Sequence, residues 1–158
     1  MIFDNLVNEI KNDEQRRLAE AKTIEETRKK IINLIIEGIE RFPEMAQQMN
    51  APTMTAKKQR SMIDKLFSPN PKHVWQFHLS YEDGLMDYCI STQGVCYIYD
   101  ISISGWKKVS NERLAESIFY SLQYVKNWNF SLELSYIERT YEEVVYNFFK
   151  DMLSAVKR

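Results

Sequence analysis

Two histidines, two cysteines and a scatter of carboxylates are what this chain offers for acid–base, nucleophilic or metal chemistry. His73, His78, Cys89 and Cys96 could be drawn together as ligands, but a zinc site needs three or four donors at a fitting spacing and this spacing matches no standard pattern. No metal is expected. Glu82, Asp83 and Asp87 cluster about one turn, where carboxylates ordinarily bond the local backbone. Asp100, between Tyr99 and Ile101, is the carboxylate best placed for acid–base work, with Glu133 on a comparable later segment. The four glycines, at 38, 84, 94 and 105, stand alone, so neither a P-loop nor a dinucleotide fingerprint is present. No G-x-S-x-G, H-E-x-x-H or C-x-x-C motif occurs. The expectation is no catalytic residue and no cofactor.

Cys89 and Cys96 flank Ser91-Thr92-Gln93-Gly94. A two-residue turn at Thr92-Gln93 would set them opposite each other. A three-residue loop with Gly94 left-handed would put them out of register, and glycine takes that conformation without steric cost, so the second is preferred. Two reduced, half-buried thiols follow.

Binding chemistry is better represented. Residues 51–73 hold five basic side chains and one acid, whereas residues 1–50 hold eight and ten, and residues 74–158 eight and eleven. Lys57, Lys58, Arg60, Lys65 and Lys72 could neutralise phosphates or an acidic protein, or simply solvate a helix face. Trp106 beside Lys107 and Lys108 could stack on a base or anchor a protein interface, or close the end of the core. A third candidate is the stripe Ile31, Ile35, Ile39 and Phe42, which at helical spacing either faces the core or engages a partner or a second copy.

The elements that would position these residues fall into three parts: 1–50 a helical arm, 51–73 a short basic, Met-containing helix with a Pro-rich connection, and 74–158 an α+β domain. In the first, residues 11–22 are nearly all polar, with strong helix propensity, and a helix polar all round projects into solvent. Thr23 with Glu26 forms a capping box that either restarts the helix or lies inside a longer one. Thr53 or Thr55 caps a helix over 53–67. From Val74 the period becomes two, giving strands at 74–81, about 86–91 and about 95–103. Ser110 caps a helix ended by Asn127-Trp128-Asn129. Phe130, Leu132, Leu134 and Tyr136 alternate as a fourth strand, and Thr140 with Glu143 opens the last helix. The fold class is α+β: helices, then a four-stranded, mainly antiparallel sheet in the order β-β-β-α-β-α with helices on one face. That order is similar to the small chaperone-like domains that bind type III secretion effectors, a likeness of element order carried by no motif.

The 158 residues, 44% apolar and 27% charged, describe a globular chain, and a net charge of −1 argues against a polybasic nucleic-acid binder. No run of about 18 apolar residues exists and the start lacks signal-peptide character, so a cytoplasmic protein with no membrane partner is expected. Richness in Ile, Asn, Lys and Tyr is compatible with a low-GC bacterium or its phage. The leading reading is a non-enzymatic protein-binding, adaptor or inhibitor module, in its narrowest form a phage or mobile-element product that occludes a host protein, with a protein partner or self-association through the N-terminal helices. The alternatives are a nucleic-acid-associated regulator using 51–73 and an enzyme with a dispersed carboxylate site.

Overall fold

The computed structural model describes residues 2–57, 69–128 and 130–157, with backbone alone for 130–139. Its first element, α1 (Leu6–Gln48), is one unbroken helix of 43 residues. Asn5 precedes its first turn and makes no side-chain capping bond. The capping box at Thr23 lies inside it, where the Thr23 hydroxyl donates back to the Ala19 carbonyl at 2.9 Å. Strong helix formers on both sides carry the backbone through. Pro43 sits in the penultimate turn and removes a single backbone donor.

A four-stranded antiparallel meander follows, β1 (Val74–Tyr81), β2 (Gly84–Ser91), β3 (Cys96–Asp100) and β4 (Gly105–Val109), in spatial order β1-β2-β3-β4. Tyr81 pairs with Gly84 across a two-residue turn, with Gly84 at φ 138. Between β2 and β3 the loop is Thr92-Gln93-Gly94 with Gly94 at φ 82, and Ile90 pairs with Cys96. The expected left-handed glycine is therefore present. It sets Cys89 opposite Tyr97, on the face away from Cys96.

Two helices complete the chain, α2 (Asn111–Lys126) and α3 (Phe130–Val156). Ser110 caps α2 as expected, its hydroxyl accepting from the Arg113 amide at 3.1 Å. Asn127, left-handed at φ 52, ends it.

The α+β class and the four-stranded antiparallel sheet are as expected, but the fourth strand is elsewhere. Residues 130–136 are helical, and β4 is formed by residues 105–109. Phe130, Leu134, Ile137 and Tyr141 also lie at helical spacing, and that longer pattern wins over the short alternation. The element order thus becomes four strands and then two helices, and the likeness to the effector-chaperone order lapses. A second correction concerns residues 53–57, expected to open a helix. They are extended: Met54 bridges Val74 at the β1 edge, and the Ala56 amide donates to the Pro71 carbonyl at 2.8 Å.

Trp75, Leu79, Tyr88, Ile90, Cys96 and Ile98 line the inner face of the sheet and are buried with α1 and α2. Phe42 of α1 meets Trp75 and Phe77 edge-on, at ring-centroid distances of 5.6 and 5.5 Å. α3 packs along α1, with Val145, Phe149 and Met152 in the same core. Residues 31–46 of the N-terminal part therefore share one core with the sheet and the C-terminal helices.

Candidate functional site

The core claims only the second half of α1. Thr27, at 4% exposed, is the first buried residue, and residues 2–22 are exposed all round. The 21 residues from Leu6 to Glu26 extend about 31 Å at 1.5 Å per residue. An isolated helix of this length is marginal in water, because its nucleation cost is met only by its own turns. Local support comes from the propensity of 11–22 and from exposed pairs such as Arg16–Asp13 at 3.0 Å, worth a few tenths of a kcal/mol at most. At its tip, Ile2, Phe3, Leu6, Val7 and Ile10 are between 46% and 88% exposed. Scattered apolar residues are ordinary on a surface, but five within nine positions are not.

The apolar stripe of the arm prolongs the buried face of the same helix. Phe3, Ile10, Ile24 and Ile31 recur every seven or fourteen residues, as do Val7, Ala21, Ile35 and Phe42. Ile31, Ile35 and Phe42 are fully buried, whereas Phe3, Val7 and Ile10 are bare. The stripe outruns the body that covers it.

Charge along the arm is segregated. Residues 2–14 carry Asp4, Glu9, Asp13 and Glu14 against Lys11 alone. Residues 15–30 carry six bases and three acids. At the root of the arm the Arg28 guanidinium lies over the Phe119 ring at 5.6 Å and donates to the Tyr120 hydroxyl at 3.4 Å. Tyr120 is about half exposed there, as are Tyr124 and Val125 farther along α2.

The body has a groove of about 820 Å³ between α1 and α3. Met45 and Met49 lie at one end and Tyr146 and Leu153 on the α3 side. Its floor is the contact of Gly38 with the Phe149 ring. A second concavity of about 530 Å³ is lined by Met54, Lys57, Pro69 and Lys72.

The expected site residues are dispersed. Ile31, Ile35, Ile39 and Phe42, expected to meet a partner, are 0–1% exposed and hold α1 to the sheet and to α2 and α3. This is a correction: the spacing serves the fold, and the exposed apolar residues of α1 lie farther toward the N-terminus. Trp106 is half-buried on the outer face of the sheet, edge-on to Tyr99 at 5.5 Å, and packs on a small second cluster of Ala56, Val74 and Cys89. Its indole N–H is buried without a hydrogen-bond partner among the described residues. Lys107 and Lys108 are exposed but project from opposite faces of β4, so with Trp106 they do not form one patch. Lys57 is exposed, its backbone N–H donating to the Gln76 side chain at 2.9 Å. Lys58, Arg60 and Lys65 lie outside the described residues.

Asp100 caps the short 3₁₀ turn Ile101–Ile103, and its carboxylate accepts from the Ser102 amide at 2.9 Å and the Ser102 hydroxyl at 2.6 Å. Those bonds, with a smaller contribution from Lys107, hold its pKa below the ordinary carboxylate value. A carboxylate so engaged is a turn-former. Burial pushes the Cys89 thiol up to about 12, with Cys96 adding, and the Cys96 thiol to about 11. Cys96 donates to the Asn111 side chain at 3.3 Å. Thiols so protonated are poor nucleophiles. Among the described residues no group of three His, Cys, Asp or Glu is disposed to hold a metal ion, and no helix is long and apolar enough to cross a membrane.

No protein-family model, no curated protein and no solved structure matches the chain.

The residues that the sequence singled out lie in the buried half of α1, not in the projecting half. The signals that mark the projecting half were the apolar group at 2–10 and the change of charge sign near residue 15.

Proposed function

We propose that this chain is a non-enzymatic protein-binding module, an α+β body that anchors one half of a long helix and presents the other half to another protein. The observation that carries the reading is the exposure of residues 2–22 on every side of a helix whose remainder is the centre of the core. A bare apolar tip held about 30 Å from the body gains free energy when another surface covers it, at about 25 cal/mol per Å² of apolar area. The body is a rigid base for such an arm, because the arm and the core share one continuous backbone. Two unpaired thiols on opposite faces of the sheet fit a reducing, cytosolic setting. Occlusion of another protein's surface is the narrower form of this role.

Photo-crosslinking tests the reading. A photoreactive residue at Leu6 or Leu18 should give protein adducts that one at the exposed turn residue Glu82 does not. Equal yields at the arm and at Glu82, or no adduct from the arm, overturn it.

A further inference from the structure

Resting on the reading of the arm as a protein-binding element, we propose that its partner is the arm of a second copy of this chain, lying antiparallel to it. Charge argues for this occupant. The net charge of residues 2–14 is −3 and that of residues 15–30 is +3. Parallel arms would set acid on acid and base on base. Antiparallel arms set each acidic half on the basic half of the other, the self-complementary arrangement that a two-fold axis requires.

The apolar residues obey the same symmetry. Antiparallel overlap brings Phe3, Leu6, Val7 and Ile10 of one copy along Leu18, Ala21 and Ile24 of the other. Phe3, Ile10 and Ile24 share one heptad position, with Arg17 between them, and Val7 and Ala21 share another, with Glu14 between them, so apolar and charged side chains stand on the one face that two helices wound with a left-handed supercoil would share. The apolar tip of each arm then points toward the root of the other, where Tyr120 stands half exposed against Arg28. Both ends of the overlap are thus supplied with apolar surface that the single chain leaves uncovered. Leu18 is 72% exposed, at the point where the opposite tip would cover it.

The test uses two full-length variants with substitutions confined to the exposed arm. One carries Glu9→Lys, Asp13→Lys and Glu14→Lys. The other carries Arg16→Glu, Arg17→Glu and Lys22→Glu. The native chain should sediment at twice its 18.8 kDa mass, with dissociation strengthened about tenfold or more by molar salt. Each variant alone should be monomeric, and an equimolar mixture should restore the doubled mass. Spin labels should report residue 6 of one copy closer to residue 18 of the other than to residue 6. A native chain that stays at 18.8 kDa, a variant that still dimerises alone, or two residues 6 in closest approach each overturns the proposal. A monomer whose arm still crosslinks to a different protein overturns the self-pairing and leaves the binding-module reading standing. A monomer with no arm adduct ends both.

Discussion

Replacing Gly38 by alanine sets two effects of known sign against each other. In an exposed helix the change is favourable by about 0.5–1 kcal/mol, because alanine loses less backbone entropy. Here a Cβ on residue 38 would stand 2.3 and 2.4 Å from Cε2 and Cζ of Phe149, against an optimum carbon separation of about 3.5–4.0 Å. The ring must retreat by more than an ångström. The ring lines the groove between α1 and α3, so it can retreat only by giving up its contacts in the core and with Phe148, edge-on at 5.3 Å. Overpacking of this kind costs about 1–3 kcal/mol. The steric cost wins, and the net loss is about 1–2 kcal/mol, a fall in melting temperature of about 2–8 °C for a chain of this size. Urea unfolding followed by circular dichroism reads it directly. In a double-mutant cycle, Phe149→Leu should absorb most of the penalty of Gly38→Ala, so the pair destabilises less than the sum of the singles. A Gly38→Ala variant more stable than the native chain, or additive singles, would refute close packing of α3 on α1 at this point.

Ile35→Ala or Ile39→Ala should cost about 2–5 kcal/mol, whereas Val7→Ala should leave the unfolding midpoint of dilute protein within about 0.5 kcal/mol; equal effects in urea would contradict the division of α1 into core and arm. Trp75→Phe removes an indole donor bonded to the Ala51 carbonyl at 3.3 Å, while Trp106→Phe removes one that is buried without a partner among the described residues. The first should therefore cost about 1 kcal/mol more than the second, and the reverse order in urea would contradict the burial of the Trp106 N–H. Cys89 and Cys96 should resist a thiol-specific disulfide reagent in the native chain and react fully in denaturant; rapid native labelling of both would contradict their burial. Because folding raises both thiol pKa values, the native state holds these protons more tightly than the unfolded chain. Their contribution is complete below the ordinary value of 9 and is lost as pH rises toward about 11 for Cys96 and about 12 for Cys89. Tyr88, raised by its burial, acts in the same direction. The urea midpoint should fall between about pH 8 and 10.5, and a flat profile would count against it.

What was legible in the sequence was local and carried by one dominant pattern. Trp75 to Tyr81 alternates cleanly because one face meets the core, and the strand lies where the alternation placed it. Gly94 and Ser110 announced a loop and a cap through chemistry that acts within three residues. The polar run at 11–22 foretold projection from the body, because it has too few apolar residues to hold it in the chain's own core. The misreadings came where two patterns overlapped or where an edge hid one. Phe130 to Tyr136 satisfies period two over seven residues and helical spacing over a longer span, and the longer span continues into Tyr141, Val145 and Phe149, which pack in or against the core. β4 was missed because Lys107 and Lys108 interrupt its alternation, as charges on an edge strand commonly do. Ile31, Ile35, Ile39 and Phe42 show a further limit. Helical spacing says that a face is buried, but not whether the same chain or another covers it, and here the sheet, α2 and α3 do.

The arm makes the most direct demand on experiment. Amide hydrogen exchange across residues 6–22 should be read at rising protein concentration. Residues 31–46 should be protected throughout, because their helix is the core of the body, and protection of 6–22 should grow with concentration as the arms find each other. An arm that exchanges at the rate of an unfolded chain at every concentration would contradict the account.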